Sequence, residues 1–384
     1  MSGPLAGVKV VEVASIGPGP WCAMMLSDMG AEVIRLDRAD DVRTYRPDAV
    51  SLETVTKRGR RSVGVDLKAP GGAEVVLALA EQADILIEGF RPGVAERLGI
   101  GPAQTLARNP RLVYGRITGW GQDGPLAQVP GHDINYLALT GLLHTIGPAG
   151  GRPMPPLNLV GDFGGGGLML AFGVVCGYLE AQRSGRGQVV DAAMLDGATL
   201  LGAMVHGLRQ LGQWGQERES NRHDGGAPFY GTYQTSDGHY VAVAANEPRF
   251  YRVMVEALGL SPDDLPAQDD QASWPAMRAR FAEVFLTRTR EEWVRLMAPL
   301  DTCFAPVLTL DEARSHEHNV ARELFVANDG IMQSAPAPRF DRTPASIKGP
   351  AARPGQHTEE ALRDWGFAEA RIDELRGTGA IVQG

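Results

Sequence analysis

The sequence predicts an α/β fold: a large domain built on a mostly parallel sheet, followed by a smaller α+β domain. Three observations support this prediction. The 384 residues exceed what one ordinary hydrophobic core takes up. In the N-terminal part, short β-branched runs alternate with helical runs, which is the pattern of a parallel sheet covered by helices. After Asp224, two alternating β runs are joined by a turn signal and followed by helical segments.

The elements of the large domain follow in the order strand, helix, strand. We predict strands at Val8–Val13, Val33–Leu36, Ile85–Glu88 and Leu112–Ile117, and helices at Trp21–Met29 and Gly72–Gln82. Gly147–Asn158 is expected to be irregular, because its prolines and glycines disfavour helix and sheet. The apolar run Leu168–Leu179 is too short to span a bilayer and predicts a buried helix.

The small domain is predicted to begin with a hairpin. Its alternating runs, Phe229–Thr235 and His239–Ala245, are joined by Ser236-Asp237-Gly238. Helices are expected at Arg249–Leu258, Trp274–Leu286 and Glu291–Leu300. We expect the proline-rich residues from Glu323 onward to return to the first domain. The predicted organisation is a large domain at 1–200 completed by 323–384, a linker at 201–224 and a small domain at 225–322.

Composition excludes several function classes. The chain has 37 Lys and Arg against 46 Asp and Glu, a net charge of −9, which argues against a general nucleic-acid or membrane-surface role. Its three cysteines, Cys22, Cys176 and Cys303, are far apart, so that neither a disulfide framework nor a zinc site is indicated. They fit a reducing cytoplasm.

Two residues stand out as proton-transfer groups. His132 lies in Gly131-His132-Asp133-Ile134-Asn135-Tyr136, and Asp162 precedes Phe163 and four glycines. Histidine is the side chain best matched to proton transfer near neutral pH. A lone loop histidine or a helix-capping aspartate is the ordinary alternative. The glycines favour function at Asp162, because they allow a ligand to approach and leave N–H groups for a developing oxyanion.

Basic residues are concentrated early in this acidic chain, which indicates a small polyanionic ligand such as a phosphate. A solvated surface is the alternative for any one of them. The cluster comprises Arg35, Arg38, Arg43, Arg46, Lys57, Arg58, Arg60, Arg61 and Lys68. A dinucleotide site at Gly17-Pro18-Gly19-Pro20-Trp21-Cys22 is disfavoured, because Cys22 replaces the third glycine and the prolines remove N–H groups.

Several motifs in fixed order give the chain a recognisable pattern. They are Ser15-Ile16-Gly17-Pro18-Gly19-Pro20, Gly89-Phe90-Arg91-Pro92-Gly93, Gly119-Trp120-Gly121-Gln122-Asp123-Gly124-Pro125, Gly131–Tyr136, Asn158–Gly167 and Gly185-Arg186-Gly187-Gln188-Val189-Val190-Asp191-Ala192-Ala193-Met194. Over essentially its whole length the chain resembles the family III CoA-transferase superfamily, in its alpha-methylacyl-CoA racemase branch. Asp162 matches the aspartate shared across the superfamily. His132 is the residue that distinguishes the racemases from the transferases.

The resemblance implies racemisation of 2-methylacyl-CoA thioesters by two bases acting on opposite faces of C2 through an enolate. His132 would serve the (S)-epimer and Asp162 the (R)-epimer. Glu247 is implied to lie beside His132 and orient it, with Asp133 as a second candidate for tuning a base. No metal or redox cofactor is implied, because CoA is part of the substrate.

The resemblance also implies a Rossmann-like large domain and an interlocked homodimer, in which the partner subunit's Glu247 would reach His132. The positions that match the family's CoA contacts are Arg38, Val65, Asp66, Leu67, Lys68, Gly89, Phe90, Arg91, Arg97, Gly131, Ile134, Asn135 and Tyr136. The C-terminal residues Ala380–Gly384 do not match the peroxisomal address of eukaryotic members, so we expect a cytoplasmic enzyme.

Two other functions remain open at this level. A CoA-transferase would use Asp162 as a nucleophile. A non-catalytic acyl-CoA-binding protein would need no pair of bases. The acyl chain is also open among branched fatty acyl, sterol side-chain and aryl-propionyl groups.

Overall fold

The computed structural model describes residues 3–46 and 54–384. These residues contain both parallel and antiparallel strands. In chain order they are β1 Lys9–Val13, β2 Glu32–Arg38, β3 Arg61–Val65, β4 Ile85–Glu88, β5 Val113–Thr118, β6 Val189–Ala193, β7 Tyr230–Gln234, β8 Tyr240–Ala244, β9 Phe304–Val307, β10 Phe325–Asn328, β11 Ile331–Ser334 and β12 Ile381–Val382.

A seven-stranded sheet organises the first of two compact units. Its strand order is β12-β3-β2-β1-β4-β5-β6, and all neighbours are parallel except β12, which is antiparallel to β3. The predicted mostly parallel sheet is therefore confirmed. Ile381 pairs with Val65, so the C-terminal strand forms one edge of this sheet.

Two layers of helices cover this sheet. Alternate residues of one strand point to opposite faces, so that Val10 packs in one core and Val11 in the other. The α-helices of this unit are Pro18–Asp28, Ala39–Arg43, Gly72–Gln82, Val94–Arg97, Pro102–Arg108, Asp133–Leu139, Met169–Ser184, Met194–Leu201, Thr358–Asp364 and Glu369–Gly377.

The helix predicted over Leu168–Leu179 is longer and more exposed than expected. A π-helical segment, Leu159–Leu168, precedes the α-helix Met169–Ser184 without a break. The combined helix has 26 residues, and its most apolar 18-residue window has a mean hydropathy of 1.7 and is 39% buried. By length and composition alone it could cross a membrane, but core helices pass the same test, so the evidence for a span is weak.

Close packing explains the four glycines of the π-helical segment. A Cβ atom at Gly165 would lie 2.5 Å from the main-chain nitrogen of Ala198, and one at Gly197 would lie 1.9 Å from the carbonyl oxygen of Gly165. One at Gly167 would lie 2.7 Å from the Trp21 ring. The glycines therefore let two neighbouring helices approach the segment that carries Asp162.

The second unit contains an antiparallel sheet in the order β7-β8-β9. The hairpin β7–β8 confirms the predicted one. The helices of this unit, 3-10 turns included, are Leu142–Thr145, Ala203–Gln210, Pro248–Ala257, Pro262–Asp264, Gln271–Ser273, Trp274–Phe285, Arg290–Met297, Leu310–Ser315 and Glu317–Ala321. A core that includes Phe229, Phe281, Phe285 and Trp293 packs the hairpin against these helices.

The two units are discontinuous along the chain. The first comprises 1–140, 157–201 and 323–384, and the second comprises 141–156 and 202–322. Residues 202–224, which the sequence predicts to be a linker, belong to the second unit, together with 141–156.

Candidate active site

A cavity of about 400 Å³ opens at the carboxyl ends of three neighbouring strands, β1, β4 and β5. Ile16 and Pro18 line it from the residues after β1, Gly89–Pro92 from those after β4, and Trp120 from those after β5. The chain leaves β1 toward β2 on one side, whereas β4 lies on the other. Open α/β sheets bind ligands at such a reversal of strand order.

His132 lines this cavity with an exposed side chain. It is the N-cap residue of the helix Asp133–Leu139, in extended conformation. Its main-chain N–H donates to Oδ1 of Asn135 over 3.0 Å, and the Asn135 N–H donates to its carbonyl oxygen over 2.8 Å. The backbone of His132 is thus fixed, while the imidazole stays accessible.

Two aromatic residues hold the segment that leads into His132. Nε1 of Trp120 donates to the carbonyl oxygen of Val129 over 3.0 Å, and the Tyr136 hydroxyl donates to that of Gly131. The two rings meet edge to face, with centroids 4.7 Å apart. These contacts explain why Gly131 and Tyr136 belong to the motif.

Asp162 lies in the first turn of the π-helical segment and is half-buried. Its Oδ2 accepts a hydrogen bond from Nδ2 of Asn158 over 3.3 Å, and its main-chain N–H donates to Oδ1 of Asp133 over 2.8 Å. A Cβ atom at Gly17 would lie 3.7 Å from this Oδ2. Asp162 is not among the residues lining the cavity. It lies against Gly17, whose chain neighbours Ile16 and Pro18 do line it.

The pKa of Asp162 is raised above its ordinary value. Burial is the largest cause, and the negative charge of Asp133 acts in the same direction. The hydrogen bond from Asn158 and the charge of His132 act to lower it. His132 and Asp162 therefore lie within electrostatic reach of each other, and the raised pKa makes Asp162 a stronger base than an exposed aspartate.

The glycine run does not supply an oxyanion site, contrary to the sequence-based expectation. In a π-helix each N–H bonds to the carbonyl five residues earlier, so the N–H groups of residues 164–168 are used within the helix. The N–H of Asp162 is used by Asp133. The glycines serve packing instead.

A second cavity, of about 190 Å³, adjoins the ends of β2 and β3. It shares Phe90 with the first cavity. The predicted CoA contacts Arg38, Val65, Asp66, Leu67 and Lys68 all line it. The side chains of Arg38 and Lys68 are exposed and form no ion pair within the described residues.

Most of the early basic cluster has a structural role, so the prediction of a phosphate site there was too broad. Arg35 pairs with Asp37 at 2.7 Å, Arg58 with Asp28 at 2.5 Å, and Arg60 with Glu12 at 2.6 Å. All six side chains are buried. Arg61 bridges Glu32 and Asp364. Except for Asp37, which lies two residues from Arg35 in β2, these carboxylate partners come from distant parts of the chain, so sequence alone does not show them.

The structure brings most of the predicted site residues together but not all. Gly89, Phe90, Arg91, Gly131, Asn135 and Tyr136 join His132 at the first cavity. Arg97 and Ile134 line neither cavity. Glu247 lies in the second unit as the exposed N-cap residue of the helix Pro248–Ala257, and its side chain makes no capping bond.

Sequence reasoning did not single out Asn158 and Trp120 as site residues. Asn158 contacts Asp162 because it lies four residues before it at the start of the π-helical segment. The sequence predicted that this helix begins at Leu168, so the proximity of Asn158 to Asp162 was not expected. Trp120 stood in a quoted motif, but its contact with Val129 depends on a loop whose shape the sequence does not reveal.

Comparisons with known proteins show which family the chain resembles over its length. The model of CoA-transferase family III matches residues 5–358. The chain is 45% identical to alpha-methylacyl-CoA racemase of Mus musculus, over 97% of this chain and 96% of that protein. It is 44% identical to the Homo sapiens racemase, over 98% and 97%. Succinyl-CoA:glutarate CoA-transferase of Homo sapiens is 28% identical, over 99% and 90%.

Solved structures show the same fold. A CAIB/BAIF family protein from Brucella suis superposes with a TM-score of 0.81 at 25% identity, covering 95% of this chain and all of that one. A protein of Mycobacterium tuberculosis gives 0.78 at 26% identity, with 93% and 99% coverage. The chain therefore belongs to CoA-transferase family III.

Proposed function

We propose that this chain is an alpha-methylacyl-CoA racemase, which interconverts (R)- and (S)-2-methylacyl-CoA thioesters. The observation that carries the proposal is that His132, which lines the first cavity, acts electrostatically on the nearby Asp162 carboxylate. Full-length identities of 44–45% to curated racemases support it. The CoA-transferase of Homo sapiens reported above is 28% identical.

The reaction needs a base on each face of C2. The proton next to a thioester carbonyl is weakly acidic, and its removal leaves an enolate. His132 would take it from the (S)-epimer and Asp162 would return one on the other face, with the roles exchanged in reverse. A half-buried carboxylate with a raised pKa suits this task, because base strength increases with pKa. The chemistry calls for no metal or redox cofactor.

We expect the substrate to bind in the two cavities. We propose that the thioester occupies the first cavity, beside His132, and that CoA runs past Phe90 into the second. Arg38 and Lys68, which have no ion-pair partner in the described residues, would meet the phosphate groups there. The apolar side chains of Ile16 and Met194 in the first cavity fit an acyl substituent. The unpaired cysteines accord with a cytoplasmic enzyme.

We propose further that the protein acts as an interlocked homodimer. The long apolar helix presents an exposed row of Leu168, Phe172 and Leu179, of which Phe172 is 68% exposed. A row of this kind marks an interaction surface in soluble proteins. In a dimer, the partner subunit's Glu247 would orient His132, as the family resemblance implies.

A CoA-transferase is the second candidate, because the chain belongs to a family named for that activity. In that case Asp162 would attack the thioester and form an acyl-enzyme anhydride. One experiment distinguishes the two functions. A single epimer of 2-methylacyl-CoA is incubated in heavy water without an acceptor acid.

The racemase predicts epimerisation with deuterium gained at C2. The transferase predicts no turnover until a carboxylic acid is added. It also predicts that an acyl-enzyme forms as CoA is released and that hydroxylamine traps it. Binding of the thioester with no turnover under either condition would contradict both and leave a binding protein.

A further inference from the structure

We infer that Asp133 is a positioning residue for Asp162, and that it sets both the place and the base strength of that carboxylate. The inference rests on the proposed function, because it concerns proton transfer at Asp162. It also specifies the sequence-based expectation, which named Asp133 only as a second candidate for tuning one of the two bases.

The geometry shows where the Asp133 carboxylate is directed. Asp133 is 8% exposed, although it follows the exposed His132 directly in the chain. Its Oδ1 accepts the main-chain N–H of Asp162 over 2.8 Å. A buried carboxylate with such a charge-assisted bond is a strong anchor. Asp133 thus ties the start of one helix, which carries His132, to the start of the π-helical segment, which carries Asp162.

Gly161 makes this contact possible. A Cβ atom at that position would lie 2.3 Å from Oδ1 of Asp133 and 3.2 Å from its carbonyl oxygen. Any side chain there would displace the Asp133 carboxylate from the amide that it accepts. Glycine before the aspartate is therefore a steric requirement of this anchor, and the Gly161-Asp162 pair forms one unit with Asp133.

The same carboxylate places a second negative charge near Asp162. The charged groups that act on Asp162 are Asp133 and His132, and Asn158 is the neutral donor. Besides burial, the charges of Asp162 and Arg91 both act on the nearby Tyr136 hydroxyl, Asp162 raising its pKa and Arg91 lowering it. Repulsion between two carboxylates favours the protonated form of Asp162, which raises its proton affinity. Asp133 thereby makes Asp162 a stronger base when it is ionised.

The test compares Asp133→Asn and Asp133→Ala by deuterium exchange into the (R)-epimer as a function of pH. Both changes remove the charge, so the pKa of Asp162 falls. Because exchange requires ionised Asp162, the acidic limb of kcat/KM moves to lower pH in both variants. Only asparagine keeps an oxygen for the Asp162 amide. We expect a loss of about 10-fold for Asp133→Asn and about 100-fold for Asp133→Ala, from misplacement of the base.

Asn158→Ala is a matched variant that should move the acidic limb in the opposite direction. The Asn158 amide stabilises the ionised form of Asp162, so its removal raises the pKa and moves the acidic limb to higher pH. Opposite displacements in the two kinds of variant are not expected from a merely structural defect. Circular dichroism and thermal unfolding check that each protein is folded. If Asp133→Asn fails to fold, Asp133→Ser supplies another neutral acceptor for the same measurement.

Two results would overturn the inference. One is a folded neutral variant whose acidic limb coincides with that of the wild type. The other is equal rates for the asparagine and alanine variants. Failure of the wild type to epimerise its substrate would instead reject the proposed function. The two failures are therefore distinguishable.

Discussion

At the scale of single residues, the two proposed bases are held in different ways. His132 has a fixed main chain and an exposed imidazole, anchored through Asn135. Asp162 is half-buried, and both its main chain and its side chain form hydrogen bonds. An exposed group and a half-buried, anchored one would serve the two faces of C2 in the proposed reaction.

The exposed cations provide a second residue-scale test. We expect Arg38→Ala to raise KM for acyl-CoA about 10-fold with little change in kcat, because phosphate binding is lost while the bases stay in place. Arg43→Ala is the matched control: Arg43 is nearby and exposed, but it pairs with Asp40 and does not line the cavity. Steady-state kinetics measures both. An equal effect of the two changes would remove Arg38 from the CoA site.

At this scale the sequence predicted the composition of the site better than its contacts. His132 and Asp162 stood out through residue chemistry and motif, and the structure places them close together. The partner of Asp133 could not be predicted, because a hydrogen bond to the amide 29 residues away depends on how two helices begin. Arg58 and Arg60 resembled part of a phosphate site because their buried partners, Asp28 and Glu12, lie 30 and 48 residues away in the chain.

At the scale of elements, the predicted strands and helices that have strong periodicity were found close to their expected bounds. Gly72–Gln82 and Ile85–Glu88 coincide with them. The strand Arg61–Val65 was not predicted, because its charge was interpreted as part of a basic cluster. The π-helical segment was also missed. Four glycines disfavour a helix in isolation, and only the neighbouring helices stabilise one here.

The packing of the π-helical segment makes a prediction of its own. Gly165→Ala should destabilise the protein by about 1–3 kcal/mol, because the new methyl group overlaps the backbone at Ala198. Activity should fall with it, since the same segment carries Asp162. Chemical denaturation and the epimerisation rate measure the two effects.

Gly207→Ala is the control for this change. Gly207 lies within the helix Ala203–Gln210, and no atom would lie within 4 Å of an added Cβ. We expect an unchanged or slightly higher stability, by up to about 1 kcal/mol, because alanine favours helix. A Gly165→Ala variant as stable as Gly207→Ala would contradict the packing explanation.

At the scale of the whole molecule, the exposed row of Leu168, Phe172 and Leu179 on the long helix is not covered by other described residues. We expect the protein to sediment as a dimer and Phe172→Glu to shift it toward monomer, because a charge cannot be buried at an apolar contact without a partner. Sedimentation velocity at several concentrations measures this. Wild-type protein that stays monomeric at enzyme-assay and higher concentrations would contradict the proposed homodimer.

The overall architecture could be predicted from periodicity together with the family resemblance. The mostly parallel sheet and the hairpin of the second unit follow from alternating patterns. The sequence did not predict that 141–156 belong to the second unit while 157–201 return to the first. Nothing in the local sequence of a proline-rich segment specifies which core it joins.

The most direct test of the two-base account follows deuterium at C2 in His132→Gln and Asp162→Asn, starting from each pure epimer in heavy water. His132→Gln should exchange the (R)-epimer with retention of configuration, because Asp162 can still remove and return a proton on its own face. Asp162→Asn should do the same for the (S)-epimer, and neither variant should epimerise at an appreciable rate. Epimerisation by either variant at near the wild-type rate would contradict the account, because a single base would then serve both faces.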